Sequence, residues 1–481
     1  MFSYLNGSFW SFVFVLLIIG TLLVVITDER DSGKKISWIL VITFLPVIGI
    51  ILYIMLGFDI RRVRLFRTRR RDFLRFFHSR SDARTRRILF GNDATMKVDA
   101  RYRDLATLLS KSNGTSVTDG NGIEIITSGK RKFEALSEDI RNARHHIHVE
   151  YFLFKKDKSS KMIKKLLMQK AKEGVKVRFI YENIANINIR PRYFKEMRKA
   201  GVEVVSFTDP KFSALRLSAL LNYRDHRKIV VIDGKIGYTG GMNISDDYFI
   251  RWRDTHIRIT GNAVASLQYS FMASFINSGG KIEDNLGPYF PVQEKQLGND
   301  LLMQIVPDEP EDNWPILQMG TVWTVEHARD YIYIQTPYFV PPEPLLLALK
   351  STALKGTDVR LMVPQKPDSV YMGPANRSYY HECLEAGIKI YEWTGTFIHS
   401  KTIVSDDYLS VIGSANMDFR SLEINYEVNS YIYSKDVALA NKAIFMRDMK
   451  LCREITLNRW RKRPWYSKLG QSVMQLFAPI L

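Results

Sequence analysis

Two copies of one short pattern carry the residues whose types and spacing could do chemistry. The pattern is His-x-Lys-x4-Asp, and it occurs at His226-Lys228-Asp233 and at His399-Lys401-Asp406. In the first copy, β-branched residues run into an Asp-Gly pair, which is typical of a strand entering a tight hairpin. Because side chains alternate along a strand, the His and Lys of each copy share one face. An imidazole beside an ammonium suits a nucleophile or acid next to a phosphate-binding charge.

The aspartates of the two copies are predicted to have a structural role, unlike the histidines and lysines. Asp233 has the opposite parity to His226 and falls at the turn. We interpret it as a structural carboxylate that accepts turn hydrogen bonds, and we expect Asp406 to serve the same purpose in the second copy. Neither aspartate is expected to touch its own histidine.

Residues downstream of the two copies stay in step. Asn243 and Asn416 each lie ten residues after the motif aspartate, whereas Asp254 and Glu427 each follow their histidine by 28 residues. An acid at the same offset in both copies is the better candidate to hold an imidazole in one tautomer and to stabilise its cationic form. The shorter Asp254 arm could make the two histidines inequivalent.

An internal repeat supplies the elements that must position these residues. From about residue 116 a helix end, a strand and a Gly cap recur in the same order, for example at Ala143–Glu150 and Ala328–Gln335. Alternating helices and strands predict α/β layers in which helices cover a largely buried sheet. The halves differ mainly in an insertion around Thr208 to Leu220, for which a lipid-facing flap and an ordinary surface loop or helix both stay open.

The N-terminal end predicts a membrane anchor. Phe9–Ile26 and Ile36–Gly57 are nearly uncharged, and each is close to the roughly 20 residues that span a bilayer. A cleaved signal peptide is the alternative, but Met1–Ser8 has no basic residue and a second apolar segment follows at once. Seven arginines between Arg61 and Arg71 follow the second span, so the large C-terminal part is predicted to be cytoplasmic.

The net charge of the chain limits the chemical classes of partner that it is expected to bind. The 481-residue chain carries a formal charge of +19, which favours an acidic partner, either nucleic acid or an anionic membrane. Residues 58–100 hold 13 Lys and Arg against 5 Asp, so +8 of that charge follows the predicted anchor and favours anionic headgroups. Cys383 and Cys452 match neither a disulfide framework nor a metal-site spacing.

These motifs resemble the phospholipase D superfamily and, within it, the bacterial cardiolipin synthase family. The resemblance rests on His226–Gly234, Gly240–Asn243, Trp252–Asp254 and Gly413–Asn416, behind two apolar segments. It implies that two tandem α/β/α halves face each other across a pseudo-twofold axis behind a transmembrane hairpin, and that they pool both motifs into one site. The predicted boundaries are 1–57 for the hairpin, 58–115 for a basic linker, 116–290 and 291–460 for the halves, and 461–481 for a basic, aromatic interfacial tail.

A mechanism follows from the chemistry of these residues. One histidine attacks a phosphodiester to give a phosphohistidine, and the other protonates the leaving alcohol and deprotonates the incoming one. Lys228, Lys401, Asn243 and Asn416 would hold the nonbridging oxygens, so we expect neither a metal nor another cofactor. The resemblance favours His226 as the nucleophile, although the spacing treats both copies alike. It also implies phosphatidyl transfer between two phosphatidylglycerol molecules to give cardiolipin and glycerol.

Two alternative functions remain open. A membrane-tethered phosphodiesterase could act on nucleic acid or hydrolyse phospholipid, but the sequence shows no nucleic-acid-binding motif or interleaved aromatic pattern. A degenerate relative that only binds anionic lipid is the other alternative, but the presence of two complete motifs argues against it.

The C-terminal residues from Trp460 onward mix basic, aromatic and apolar positions, as interfacial segments do. Packing of this tail back onto the protein is the alternative.

Overall fold

The computed structural model describes residues 2–27, 32–53, 73–91, 93–189, 191–207, 223–293 and 300–476. The chain divides into two compact units. One comprises Met1–Val63 and Pro210–Tyr223, and the other comprises Arg64–Asp209 and Arg224–Leu481. The predicted insertion at residues 208–220 and the arginines at residues 61–71 lie outside the described residues.

The described residues of the smaller unit form three helices, which are Phe2–Thr27 (α1), Ser32–Phe44 (α2) and Pro46–Leu52 (α3). The break between α2 and α3 precedes Pro46, because a proline disfavours the helical conformation of the residue before it. Val25, Ile42 and Tyr53 are buried together between these helices. Among the described residues, the structure has no helix with both the length and the apolar character needed to cross a membrane. The two spans therefore stay a prediction, and residues 54–57 of the second lie outside the described part.

In the described part of the larger unit, fifteen strands form one mixed sheet. In chain order the strands are Thr118–Ile126 (β1), His146–Tyr151 (β2), Lys176–Tyr181 (β3), Glu203–Ser206 (β4), Lys228–Ile232 (β5), Ile236–Gly240 (β6), Trp252–Arg253 (β7), His256–Thr260 (β8), Leu301–Asp308 (β9), Tyr331–Gln335 (β10), Phe339–Val340 (β11), Asp358–Pro364 (β12), Lys389–Trp393 (β13), Phe397–Ile398 (β14), Thr402–Ser405 (β15), Leu409–Gly413 (β16), Met417–Asp418 (β17), Glu427–Tyr433 (β18) and Cys452–Ile455 (β19). Four of these, β7, β11, β14 and β17, form two short pairs outside the large sheet.

The strand order reads almost the same from both sides of its centre. It runs β19-β13-β12-β10-β15-β16-β18-β9-β1-β8-β6-β5-β2-β3-β4, and β9 and β1 are antiparallel neighbours in the middle. On each side a parallel trio, β2-β3-β4 or β10-β12-β13, joins an antiparallel group that includes the motif strand. We refer to β1–β8 as the first half and to β9–β19 as the second half.

Helices cover both faces of the sheet, which confirms the predicted α/β class. In chain order they are Ala83–Arg86 (α4), Arg103–Asn113 (α5), Gly129–Asn142 (α6), Lys158–Lys172 (α7), Pro191–Lys199 (α8), Ala263–Asn277 (α9), Ile316–His327 (α10), Glu343–Leu354 (α11), Met372–Ser378 (α12), Tyr380–Glu385 (α13), Phe419–Glu423 (α14), Lys435–Met449 (α15), Leu457–Arg461 (α16) and Trp465–Leu476 (α17). In the first half, helices α6 and α7 cover one face of the sheet and α9 covers the other. In the second half, α10 and α11 cover one face and α15 covers the other.

The folded core begins before the predicted boundary at residue 116. Helix α5 buries Leu105, Ala106 and Leu109 in the core of the second half. Phe73 and Phe77, which lie in the helical residues 73–80, join the core formed by α9. The C-terminal part of the region predicted as a basic linker is thus structured, because its apolar residues recur at helical spacing between the basic ones.

Candidate active site

Two short main-chain contacts bring the halves together at the motif histidines. The backbone N–H of His226 donates to the carbonyl of Tyr426 at 2.9 Å, and that of His399 donates to the carbonyl of Arg253 at 2.7 Å. Tyr426 and Arg253 directly precede the acids Glu427 and Asp254, so each contact delivers the acid of one half to the histidine of the other. The strand pair β7–β14, which joins Trp252 to Phe397, extends one of these contacts.

Each histidine is bound by a fully buried carboxylate from the opposite half. The Nδ1 atom of His226 lies 2.8 Å and 3.1 Å from the two carboxylate oxygens of Glu427. The Nδ1 atom of His399 lies 2.7 Å from Oδ2 of Asp254. Because a carboxylate only accepts, each Nδ1 carries the proton and leaves Nε2 as the basic atom. The sequence offsets indicated the two acids, but they did not indicate that the pairing crosses between the halves.

The two acids are fixed by different neighbours. A hydroxyl donor, Ser414, holds Glu427 at 2.5 Å, whereas the backbone N–H of Thr255 donates to Asp254 at 2.6 Å. Gly241 occupies the repeat position that corresponds to Ser414, and a Cβ there would collide with the carboxylate of Asp254. A glycine is therefore required where the shorter acid approaches the backbone.

Both motif lysines are buried beside their histidines. Lys228 donates to the carbonyl of His226, and Nζ of Lys401 lies 2.8 Å from Nδ1 and 3.1 Å from Nε2 of His399. Burial lowers the pKa of Lys228 to about 7 and that of Lys401 to about 8, while Glu427 and Asp254 oppose this effect. The charge of Lys401 also lowers the pKa of Lys228, as expected of two ammonium groups that share one site.

Both motif histidines have pKa values below the usual range. Burial and the charge of Lys228 lower the pKa of His226 to about 4, although Glu427 opposes them. Burial and the charges of Lys401 and Lys228 hold the pKa of His399 well below its usual range. Burial raises the pKa of Asp254 to about 6 despite the nearby lysines, whereas His226 and Lys228 bring the pKa of Glu427 below its usual value in spite of its burial.

Aromatic rings surround the two histidines unequally. Phe152 lies edge-on to His226 with ring centroids 4.9 Å apart. Tyr248 and Trp252 approach His399 at 5.4 Å and 5.5 Å, and Tyr338 lies at 6.4 Å. These rings help to bury both imidazoles, and electrostatic interactions are stronger in such a low-dielectric environment.

The two predicted phosphate-binding asparagines have different partners. Asn243 accepts from the backbone N–H of Leu153 at 3.2 Å and donates to the Tyr248 hydroxyl at 2.7 Å. Asn416 donates to Asp418 at 2.9 Å, and its Oδ1 atom has no hydrogen-bond partner among the described residues. The Asn243 amide is thus held in place on both sides, whereas the Asn416 carbonyl oxygen is left without a donor in that part of the chain.

Asp233 and Asp406 both hold backbone. Asp233 accepts from the N–H groups of residues 144–146 at 2.8 to 2.9 Å, and Asp406 accepts from those of residues 329–331 at 2.9 to 3.0 Å. Both aspartates have a positive φ, of 54° and 48°. Each carboxylate therefore ties the turn after a motif strand to the start of the neighbouring strand, β2 or β10.

Three further residues around the site were not predicted. Asn186 accepts from the N–H of Phe154 and donates to the carbonyl of Phe152, and Asn376 makes the same pair of bonds to Phe339 and Pro337. Lys132 on α6 is fully buried, and its Nζ donates to the carbonyls of Met242 at 2.7 Å and Asn243 at 3.4 Å. Matching of the repeat could have indicated the asparagines, but they lie 32 and 37 residues after the phenylalanines that they bind.

Within the part of the chain that the structure describes, no group of three or more His, Cys, Asp or Glu side chains is arranged to hold a metal ion.

The fold and the paired histidines define an enzyme of the phospholipase D type. The family model described as the phospholipase D-like domain of cardiolipin synthase matches residues 136–274 and 323–449. A second model, the phospholipase D-nuclease N-terminal region, matches residues 15–57. The chain belongs to the phospholipase D-like cardiolipin synthase family, which confirms the resemblance noted in the sequence.

Curated relatives match along nearly the whole chain. It is 37% identical to the major cardiolipin synthase of Bacillus subtilis, with 98% of each chain covered. It is 33% identical to a cardiolipin synthase of Halalkalibacterium halodurans, with 99% of this chain and 96% of the relative covered. A solved phosphatidylserine synthase from Haemophilus influenzae shares the fold, with a TM-score of 0.57 at 15% identity over 78% of this chain and 98% of that chain.

Proposed function

We propose that this enzyme makes cardiolipin by transferring the phosphatidyl group of one phosphatidylglycerol to the glycerol hydroxyl of a second, with release of glycerol. The proposal rests on the pair of histidines, each bound at Nδ1 by an acid of the other half and each beside a buried lysine. Such a site can accept one phosphodiester anion and move one proton. The anionic substrate matches the two buried lysines and the basic chain.

The first step forms a phosphohistidine on His226. In the described part of the chain, both hydrogen bonds of the His226 ring go to Nδ1, so Nε2 can offer its lone pair to phosphorus. By contrast, Lys401 lies against both ring nitrogens of His399. The new P–N bond forms as the bond from phosphorus to the glycerol oxygen breaks, and His399 gives its proton to that oxygen. Glu427 stabilises the positive charge that develops on His226.

Substrate binding prepares His399 for this role. Burial and the charges of Lys401 and Lys228 lower the pKa of His399, and the phosphodiester anion offsets those two charges. The ionised Asp254 then favours the protonated imidazole. In the second step His399 takes the proton from the hydroxyl of the incoming phosphatidylglycerol, whose oxygen attacks phosphorus and returns the lone pair to His226. Lys228 and Lys401, with the amides of Asn243 and Asn416, would stabilise the nonbridging oxygens in both steps.

The test is product analysis with the purified protein in phosphatidylglycerol vesicles. We expect cardiolipin and glycerol in equal amounts, and we expect His226→Asn and His399→Asn each to abolish their formation. His381→Gln, which changes a half-exposed histidine on α13, is the matched control and should keep full activity. The absence of cardiolipin with the unchanged enzyme would refute the proposal, and phosphatidic acid as the main product would indicate hydrolysis instead.

The proposal includes a membrane location with the catalytic unit on the cytoplasmic side. Two apolar stretches, the match of residues 15–57 to an N-terminal family model and the basic residues that follow support an anchor of two spans before two pseudo-twofold-related halves. Protease treatment of sealed inner-membrane vesicles and of spheroplasts tests the orientation. Cleavage of the catalytic unit only in inside-out vesicles is expected, and cleavage from the spheroplast exterior would refute it.

A further inference from the structure

Helix α17 exposes one continuous apolar face. At 100° per residue, its five large apolar side chains fall within an arc of about 100°. They are between 44% and 79% exposed, and they are Trp465, Tyr466, Leu469, Val473 and Leu476. An uninterrupted apolar face of this kind is typical of a surface that contacts a partner.

The other side of α17 faces the protein and is partly polar. Gln471 is 5% exposed, accepts from Nε of Arg463 at 3.1 Å and donates to the Ser467 hydroxyl at 3.1 Å. The helix packs on α12, and Met474 contacts the core beside it. A helix that only completed a core would turn its apolar face toward the protein. The orientation of α17 is the reverse, because its apolar face points outward.

The charges around this face identify the chemistry of its partner. Residues 457–476 contain five basic residues and no acidic one. Arg461 pairs with Glu385 at 3.1 Å but keeps 57% of its side chain exposed. A surface that is both apolar and basic matches an anionic bilayer, where aromatic and apolar side chains enter the interface and cations meet headgroups. A second copy of the same surface, formed by residues 457–476, would oppose five positive charges to five of its own, which disfavours a symmetric pair.

Helix α12 connects this face to the active site. Val370 and Tyr371, directly before α12, are 87% and 63% exposed. In the same loop Asp368 accepts from the Tyr338 hydroxyl at 2.7 Å, and the Tyr338 ring lies nearly perpendicular to the His399 ring, with centroids 6.4 Å apart. Asn376 of α12 holds the backbone on both sides of Tyr338. Helix α12 therefore contacts α17 and also holds the backbone around Tyr338, so it links the apolar face to the second half of the site.

We propose that the apolar face of α17 docks on the anionic bilayer that contains the substrate and orients the active site toward it. The identity of this surface rests on the proposed function, since only a lipid substrate requires the site to address a membrane. The binding itself is a separate property, and it can be measured without turnover.

The first experiment measures how deeply each side of α17 enters the bilayer. The full-length Cys452→Ser protein would carry a bimane label at Leu469→Cys, or at Gln475→Cys on the polar side of α17, in phosphatidylglycerol nanodiscs with brominated acyl chains. We expect quenching at position 469 to be at least about threefold stronger than at 475, because only the apolar face enters the interface. Equal quenching at both positions would overturn the proposal. Disulfide formation between two unlabelled copies of the Leu469→Cys protein, in place of lipid quenching, would also overturn it.

The second experiment separates docking from catalysis. Leu469→Glu/Val473→Glu should lower cardiolipin formation on vesicles by about tenfold but leave turnover of dispersed short-chain phosphatidylglycerol unchanged. Gln475→Glu adds a negative charge at an exposed position on the polar side of the helix and should leave both rates unchanged. Equal loss on both substrates would overturn the proposal. Lipid quenching without any cardiolipin from the unchanged enzyme would refute only the proposed function.

Discussion

At the scale of single residues, each half of the site supplies the carboxylate that binds the histidine of the other half. Glu427 reaches His226 and Asp254 reaches His399, although each acid follows the other histidine in the repeat. The fixed offset of 28 residues made both acids predictable from the sequence. Their partners were not predictable, because an offset along the chain does not give the direction in which a loop crosses between halves.

The different surroundings of the two histidines predict different roles in one experiment. A phosphatidyl ester of p-nitrophenol has a leaving group that departs without an acid. His399→Asn should therefore release one equivalent of nitrophenolate in a burst and retain the phosphohistidine, whereas His226→Asn should release none. Rapid-quench kinetics measures the burst. A burst from His226→Asn and none from His399→Asn would exchange the two roles.

The buried lysines predict the alkaline limb of the pH profile. The charged forms of Lys228 and Lys401 are lost as pH rises through their pKa values of about 7 and about 8. Because kcat/KM reports the free enzyme, it should fall above this range, whereas kcat should persist to higher pH with the anion bound. In Lys228→Arg the guanidinium stays protonated, so the remaining kcat/KM should lose the lower of the two steps. An unchanged alkaline limb in this variant would contradict the assignment.

At the scale of elements, helix α6 supports the first half in a way that the second half lacks. Lys132 donates to the carbonyls of Met242 and Asn243, and the corresponding position on α10 is Leu317, which is also fully buried. Lys132 was not predicted because it has no counterpart in the repeat. The face of α17 was equally hidden, since an amphipathic pattern shows which residues share a side but not which side meets the protein.

Replacement of Lys132 should therefore affect catalysis through the Asn243 turn. Lys132→Met removes both hydrogen bonds, and we expect kcat to fall about 10- to 100-fold with a smaller change in KM, as for a misplaced site residue. Leu317→Met, at the same position of the second half, is the control and should keep kcat within about twofold. Steady-state kinetics with thermal unfolding measures both effects. Equal losses in the two variants would show that Lys132 acts only through stability.

At the scale of the whole molecule, the sequence predicted the α/β class and the family, while the central junction became visible only in the structure. The strands β9 and β1 join the halves into one sheet, and their pairing depends on contacts about 180 residues apart that leave no local pattern. The early helix α5 was missed for a related reason. Its apolar positions lie in a segment whose basic charge dominated the interpretation.

Because one chain contains both acids and both histidines, separate chains should not rescue each other. A mixture of His226→Asn and His399→Asn proteins in the same nanodiscs should make no more cardiolipin than the sum of the two alone. Each chain binds its remaining histidine through its own two halves, so no complete site forms. Radiolabelled product analysis measures the mixture. Recovery clearly above the sum would mean that halves exchange between copies.

Because each histidine binds an acid of the other half, the complete site can form only late in translation. The partners His226 and Glu427 are 201 residues apart in the chain. At roughly 5–20 residues per second, a ribosome needs about 10–40 s to travel from one to the other. Throughout that interval the nascent chain contains a motif histidine and lysine without the acid that holds the imidazole. The enzyme is thus unable to cleave phosphodiesters until its second half has been translated and folded against the first.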